Sequence, residues 1–340
     1  MTIDADAHVI ETERTWDYME GRDSKFQPLT VTATSGPDSG KRFWVIDGKI
    51  VPRDGNIGKD VPEASREMLD IESRLRHMDK LEVEVQVLYP SIFLRPLTAR
   101  PEVELALCRS YNRWLSDIWR KGEGRLRWAA VLPLLCIDHA LAEARFAKQN
   151  GACALYVRGV MEDRLLSDAY FYPLYEEATQ LDLPVCIHAS TGSFAWNEIF
   201  EQEIGFAKFK LPVVSTFHTL VYDGVPERFP MLRFGFIEVS AQWIPYVIHD
   251  LARRFERKGK RLASDFMRAE RLYVACQTDD DLASILRYSG EDNIVIGSDY
   301  GHADTATEID ALRRLRLKGE IGEQAIHKIL DENPRRLYGL

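Results

Sequence analysis

The strongest constraint on this chain is a repeat of short apolar runs separated by helix-length stretches. The runs are "IDADAHV" (Ile3 to Val9), "EVQVLYPS" (Glu84 to Ser91), "LRWAAVLPL" (Leu126 to Leu134) and "ACALYVRG" (Ala152 to Gly159). They continue with "LPVCIHAS" (Leu183 to Ser190), "LRFGFIEVS" (Leu232 to Ser240), "LYVACQTD" (Leu272 to Asp279) and "NIVIGSDY" (Asn293 to Tyr300). Most are continuous and rich in β-branched residues, as in parallel strands buried on both faces. Between them lie helical patterns at 101–121, 137–150, 170–181, 241–256 and 280–288. "IDHALAEARFAKQNG" carries an Asp near its start and Gly151 as its stop. Eight strand-then-helix units predict an α/β chain closed into a (β/α)8 TIM barrel, one domain over residues 1–340. The open doubly wound alternative lacks a Gly-rich phosphate loop after the first strand.

One stretch interrupts the rhythm. Residues 12–70 are polar and contain Gly and Pro, with a hairpin expected in "FWVIDGKIVP" around Asp47-Gly48. An insertion in the first strand-to-helix connection lies on the catalytic face of a barrel, which makes it an expected lid or substrate wall.

Composition narrows the function classes. A net charge of −9 argues against nucleic acid as a partner. The basic cluster "RRFERKGKR" (Arg253 to Arg261) reads as a solvated helix face. No apolar run approaches the length of a membrane span, and the N-terminus lacks secretory blocks. The five cysteines (Cys108, Cys136, Cys153, Cys186, Cys276) are widely spaced and form no C-x-x-C pair, which predicts reduced thiols in a cytoplasmic protein. Trp114, Trp119 and Trp243 suit either core packing or the interface of a homo-oligomer or partner subunit.

Barrel active sites gather at the C-terminal ends of the strands. Those ends here carry Asp6 and His8, Arg158, His188, Glu238 and Asp299, with His302 three residues further on. Alternation along a strand turns Asp6 and His8 toward the same side. Each has a plainer explanation: Asp299 as a helix cap, His188 as a satisfied core imidazole, Arg158 as a rim ion pair. Glu238 is harder to explain that way, because a carboxylate amid Phe236, Ile237 and Val239 is costly to bury unpaired. The coincidence at equivalent strand ends favours one site. Glu11 reads as a residue that orients a ligand or as a helix-start acid. His77 and His139 are expected at the surface, and His218, His249 and His327 on outer helices.

These motifs, with "MDKLEVEVQVLYPS", "LSDAYFYPLYEEATQLDLPVCIHAS", "GVPERFPMLRFGFIEVSAQWIPY", "IGSDYGHAD" and "NPRRLYGL", resemble the amidohydrolase superfamily. The nearer resemblance is to its aminocarboxymuconate-semialdehyde decarboxylase-like, or amidohydrolase-related, branch. The resemblance implies a divalent metal, usually zinc or manganese, with Asp6, His8, His188 and Asp299 in ligand positions, and that oxygen-rich donor set suits Mn, Fe or Zn. Two departures stand out: Asp6 replaces the first His of the usual H-x-H, and Glu238 stands where the decarboxylase has a catalytic His. The fourth strand ends in Arg158, with no match to the carboxylated lysine of dinuclear members.

The expected function is a metal-dependent decarboxylase or C–C/C–N hydrolase acting on a small carboxylated or carbonyl substrate. Asp299 would move a proton, Glu238 would act beside it, and Arg158 would hold an anionic group. One ion is favoured. Adding Glu238 and His302, with Glu11 or His218 as a further donor, allows two, which resembles the carboxylate-rich site of a dinuclear non-haem iron monooxygenase. A non-catalytic barrel subunit is the third reading.

Overall fold

The computed structural model describes residues 1–340. Eight parallel strands follow one another in chain order: β1 (Ile3–His8), β2 (Val85–Tyr89), β3 (Leu126–Val131), β4 (Ala152–Arg158), β5 (Val185–His188), β6 (Phe234–Ile237), β7 (Leu272–Cys276) and β8 (Ile294–Ile296). The ring closes just beyond β8. There the backbone N–H groups of Ser298 and Asp299 donate to the carbonyl of Asp6, and that of His8 donates to Tyr300, at 3.1, 2.9 and 2.8 Å. Almost every strand residue is buried, which explains why the runs read as continuous apolar stretches.

The outer helices are α1 (Ile71–Lys80), α2 (Pro101–Lys121), α3 (Ile137–Gln149), α4 (Tyr172–Gln180), α5 (Leu211–Tyr222), α6 (Ile244–Arg257), α7 (Leu282–Ser289), α8 (Ala311–Leu317) and α9 (Asn333–Tyr338). Pro stands in the first turn of α2, α4, α5, α6 and α9, where its missing N–H costs no helical hydrogen bond. Trp114 is buried, and Trp119 and Trp243 pack on the same core, so core packing accounts for all three. The Arg253–Arg261 cluster is solvated apart from Phe255 on its apolar side. All five cysteines are free.

The strands end sooner than the apolar runs. Beyond β6 and β8 the chain turns sharply, with Glu238, Ser240 and Asp299 at φ of 65°, 58° and 50°. Non-glycine residues in this left-handed region store strain, and such residues cluster at functional sites. Gly297, just before, has no substitute: a Cβ there would lie 2.2 Å from the Cβ of Asp6.

Within residues 12–70 the chain forms a three-stranded antiparallel sheet (Leu29–Thr32, Arg42–Ile46, Lys49–Pro52). Asp47 and Gly48 both take positive φ, as a two-residue type I′ hairpin turn requires. The segment reaches other loops of the mouth. Gly58 N–H donates to the Gly301 carbonyl at 2.9 Å, Asn56 Nδ2 donates to Asp304 at 2.7 Å, and Lys49 Nζ sits 3.1 Å from the Phe194 ring centroid.

Candidate metal centre at the barrel mouth

Asp4, Asp6 and His8 alternate inward along β1. Asp4, the deepest, accepts from Ser298 N and Oγ (2.9 and 2.5 Å) and from Gln86 Nε2 (3.0 Å). Gln86 in turn accepts from Arg74 Nε at 2.7 Å, and Arg74 donates to the His8 carbonyl at 3.2 Å while lying 3.5 Å from the Tyr300 ring centroid. This buried floor ties β1, β2 and the end of β8 together beneath the donors. Burial raises Asp4 to about 6, against the lowering effect of its hydrogen bonds to Ser298.

Above the floor, side chains from four strands converge. His188 Nε2 lies 3.1 Å from Asp6 Oδ1, and His188 Nδ1 lies 3.2 Å from Glu238 Oε2. His8 Nε2 faces Asp6, Glu238 and Asp299 at 3.4, 3.6 and 3.3 Å. The donor atoms of Asp6, His8, His188 and Glu238 all lie within 4.8 Å of one another, and so do those of His8, Glu238, Asp299 and His302. All six residues are buried.

The hydrogen-bond roles show what this donor set can hold. A carbonyl only accepts, so His8 Nδ1, 2.9 Å from the Pro90 carbonyl, carries the proton and leaves a lone pair at Nε2. That lone pair faces carboxylate oxygens, and both His8 Nε2 and Glu238 Oε2 are buried without a hydrogen-bond partner. A cation, or an extra proton on imidazole, is needed to reconcile them. Both imidazoles are accordingly held above their usual pKa. Burial works against this, and it is outweighed at His8 by hydrogen bonding to Asp6 with the charges of Asp6 and Asp299, and at His188 by the charges of Asp6 and Glu238. Burial and the charge of Asp299 push Glu238 well up. Asp6 moves the other way, because the two imidazoles outweigh its burial. Two imidazoles with oxygen donors form a set that binds divalent cations well.

His302 occupies a different station. Its Nδ1 donates to Asp299 Oδ1 at 2.8 Å and its Nε2 meets Ser91 Oγ at 2.8 Å, while Asp299 Oδ2 accepts from Thr307 Oγ1 at 2.5 Å. Burial and the neighbouring His8 push its pKa down, which keeps the ring neutral. Glu11 accepts from the backbone N–H groups of Ser91 and Ile92, both at 3.0 Å. It therefore braces the loop that carries Ser91, at the start of the short helical turn Ile92–Leu94.

Arg158 does not join the cluster. It lies beside Glu104 of α2, with Nη1 3.5 Å from the Phe93 carbonyl, in a tight pocket shared with Cys108 and Tyr156. The opposite charge of Glu104 and that carbonyl hold it there. A cavity of about 490 Å³ opens from Glu238 and His302 past Leu94, Arg95, Phe206 and Phe209 to Asn56 of the insertion. His77 is not a free surface residue, since its Nδ1 meets the Tyr300 hydroxyl at 2.7 Å. His218 pairs with Asp250 at 2.8 Å in a separate groove between α5 and α6. Ser91, Thr307 and Arg95 carried no sequence signal beyond their place in loops after strand ends.

A family model described as Amidohydrolase matches residues 3–340. The chain belongs to the amidohydrolase family. A 2-amino-3-carboxymuconate-6-semialdehyde decarboxylase of Dictyostelium discoideum is 20% identical over 259 residues, covering 72% of this chain and 70% of that protein. An amidohydrolase from Mycobacterium avium subsp. paratuberculosis K-10 superposes with a TM-score of 0.80 at 19% identity, over 99% of both chains. A 5-carboxyvanillate decarboxylase from Novosphingobium aromaticivorans, complexed with manganese, superposes with a TM-score of 0.67 at 18% identity, over 80% of this chain and 81% of that one. Its amidohydrolase-family relatives make this chain an enzyme by family, built on their barrel. No helix is long and apolar enough to cross a membrane.

Proposed function

We propose that this amidohydrolase-family chain is a carboxy-lyase that uses one divalent cation to decarboxylate a small anionic substrate. The observation that carries the reading is the pair of buried, unpartnered atoms His8 Nε2 and Glu238 Oε2, facing each other at 3.6 Å. Asp6, His8, His188 and Glu238 would hold the ion, with Asp299 Oδ1 3.3 Å from His8 Nε2. The mixed imidazole and carboxylate donors suit manganese, zinc or iron. The manganese in the Novosphingobium decarboxylase supports the first of these. One ion is favoured over two because both donor groups draw on the same His8 Nε2, and Nδ1 of that ring is already committed to Pro90. For the same reason the dinuclear iron oxygenase reading gains no support.

When bound, the ion supplies Lewis-acid polarisation of a substrate oxygen. The chain's own groups do the rest. Asp299, fixed by His302 at one oxygen and Thr307 at the other, presents Oδ1 as the site that gives or takes a proton. Neutral His302, backed by Ser91, sets the orientation of that carboxylate. The insertion at residues 12–70 walls the cavity through Asn56 and limits water around the reacting group.

The test is metal content by mass spectrometry on protein purified without added metal, joined to CO2 release from small aromatic and unsaturated acids. The expected result is about one ion per chain and release that stops on chelation and returns with manganese. Stoichiometric absence of metal, or release indifferent to chelation, would overturn it.

A further inference from the structure

We propose that Arg95 holds a second anionic group of the substrate, placed away from the end that meets the metal donors. This rests on the metal-site reading of the cavity and extends it to the class of molecule the cavity takes.

Arg95 follows the short helical turn Ile92–Leu94 in the connection from β2 to α2. It lines the same cavity as Glu238 and His302. Other arginines near the mouth are engaged: Arg53 pairs with Glu13, Arg74 with Gln86, and Arg66 with the Val61 carbonyl. Arg95 has no carboxylate or carbonyl in reach, and the sole influence on its pKa is loss of water, which lowers it. Beyond the metal donors, the other charged side chains of the wall, Asp304 and Lys210, are engaged with Asn56 and Thr305, so Arg95, charged in any protein setting, is the cation there without an ion-pair partner. Such a group is costly to keep partly dehydrated unless a ligand supplies the anion, and its planar fork matches a carboxylate.

The remainder of the cavity sets the body between the two ends. Leu94, Phe206 and Phe209 present apolar surface, and Phe206 is 61% exposed although it faces a substrate-sized cavity. Metal donors at one end, apolar walls between and a free guanidinium beyond describe a small, flat molecule with two acidic groups. A volume of about 490 Å³ accommodates a single ring so substituted.

The experiment is calorimetric titration of the full, manganese-loaded chain with isophthalate and with benzoate, in the wild type and in Arg95→Gln and Arg95→Lys, with metal content measured on each sample. Isophthalate is expected to bind at least about tenfold more tightly than benzoate. Arg95→Gln should erase that preference and Arg95→Lys keep part of it. Equal binding of the two acids, no saturable binding of isophthalate, or a preference that survives in Arg95→Gln would overturn the assignment. Metal-free chains that still prefer isophthalate through Arg95 would sink the metal reading and leave this one standing. Metal-loaded chains without the preference would do the reverse.

Discussion

His302 Nδ1 donates to Asp299 Oδ1 across 2.8 Å while its other nitrogen is taken by Ser91. The imidazole thus aims Asp299 without being free to act itself. Substituting His302 by Ala is expected to lower kcat by roughly 10–100-fold, the usual cost of losing an orienting partner beside a metal site. Metal content should stay near that of the wild type. A proportional loss of metal and turnover would instead make His302 a ligand.

His8 stands at the centre of both donor groups. His8→Ala is expected to abolish stoichiometric metal binding. In the wild type, added manganese should raise Tm, because a ligand that binds only the folded state stabilises it by about 4 kcal/mol at a thousandfold excess over Kd. Scanning calorimetry with and without chelator checks this, and His8→Ala should show no response to the ion.

Glu104 offers a pH test remote from the metal donors. Burial raises its pKa from 4.5 to about 7, partly offset by Arg158. Below pH 4.5 the carboxyl is neutral in folded and unfolded chains alike, so nothing is lost. Between pH 4.5 and 7 the unfolded chain ionises while the buried carboxyl stays protonated, so stability falls across that window and levels off above it. Glu104→Gln keeps an acceptor for Leu135 N–H and removes this loss. Its advantage over the wild type should grow from near zero at low pH to on the order of 3 kcal/mol above pH 8. Denaturant unfolding at pH 5 and pH 8 reads the difference, and parallel curves would refute it.

Gly297→Ala should destabilise the chain by roughly 1–3 kcal/mol or more, because the new methyl overlaps Asp6 and forces β1 from the end of β8. Loss of metal affinity should accompany the lower Tm, since Asp6 and Asp299 flank this contact.

The barrel was legible because burial on both faces makes parallel strands short apolar runs, here repeated eight times with helix-length spacers, and Pro101–Lys121 lies as a helix where the sequence placed it. The hairpin at Asp47-Gly48 followed from local turn chemistry. The convergence of Asp6, His8, His188, Glu238 and Asp299 was readable because a strand end fixes both the place and the side of a residue. Arg158 was not, since a long side chain at a strand end can lean outward when an acid such as Glu104 waits there. The hydrogen bond of His77 to Tyr300 and the contacts of Gly58 and Asn56 with the last loop are tertiary, and no local pattern encodes them.

The seam between β1 and the end of β8 has a consequence for biogenesis. Asp6 and His8 leave the ribosome hundreds of residues before Ser298 and Asp299, whose backbone N–H groups hold the Asp6 carbonyl and so set the place of both first-strand donors. Ion capture therefore belongs at the end of folding, when the last strand has docked on the first. Chains that stall or are clipped before that point would stay empty, so metal loading itself reports that the ring is complete.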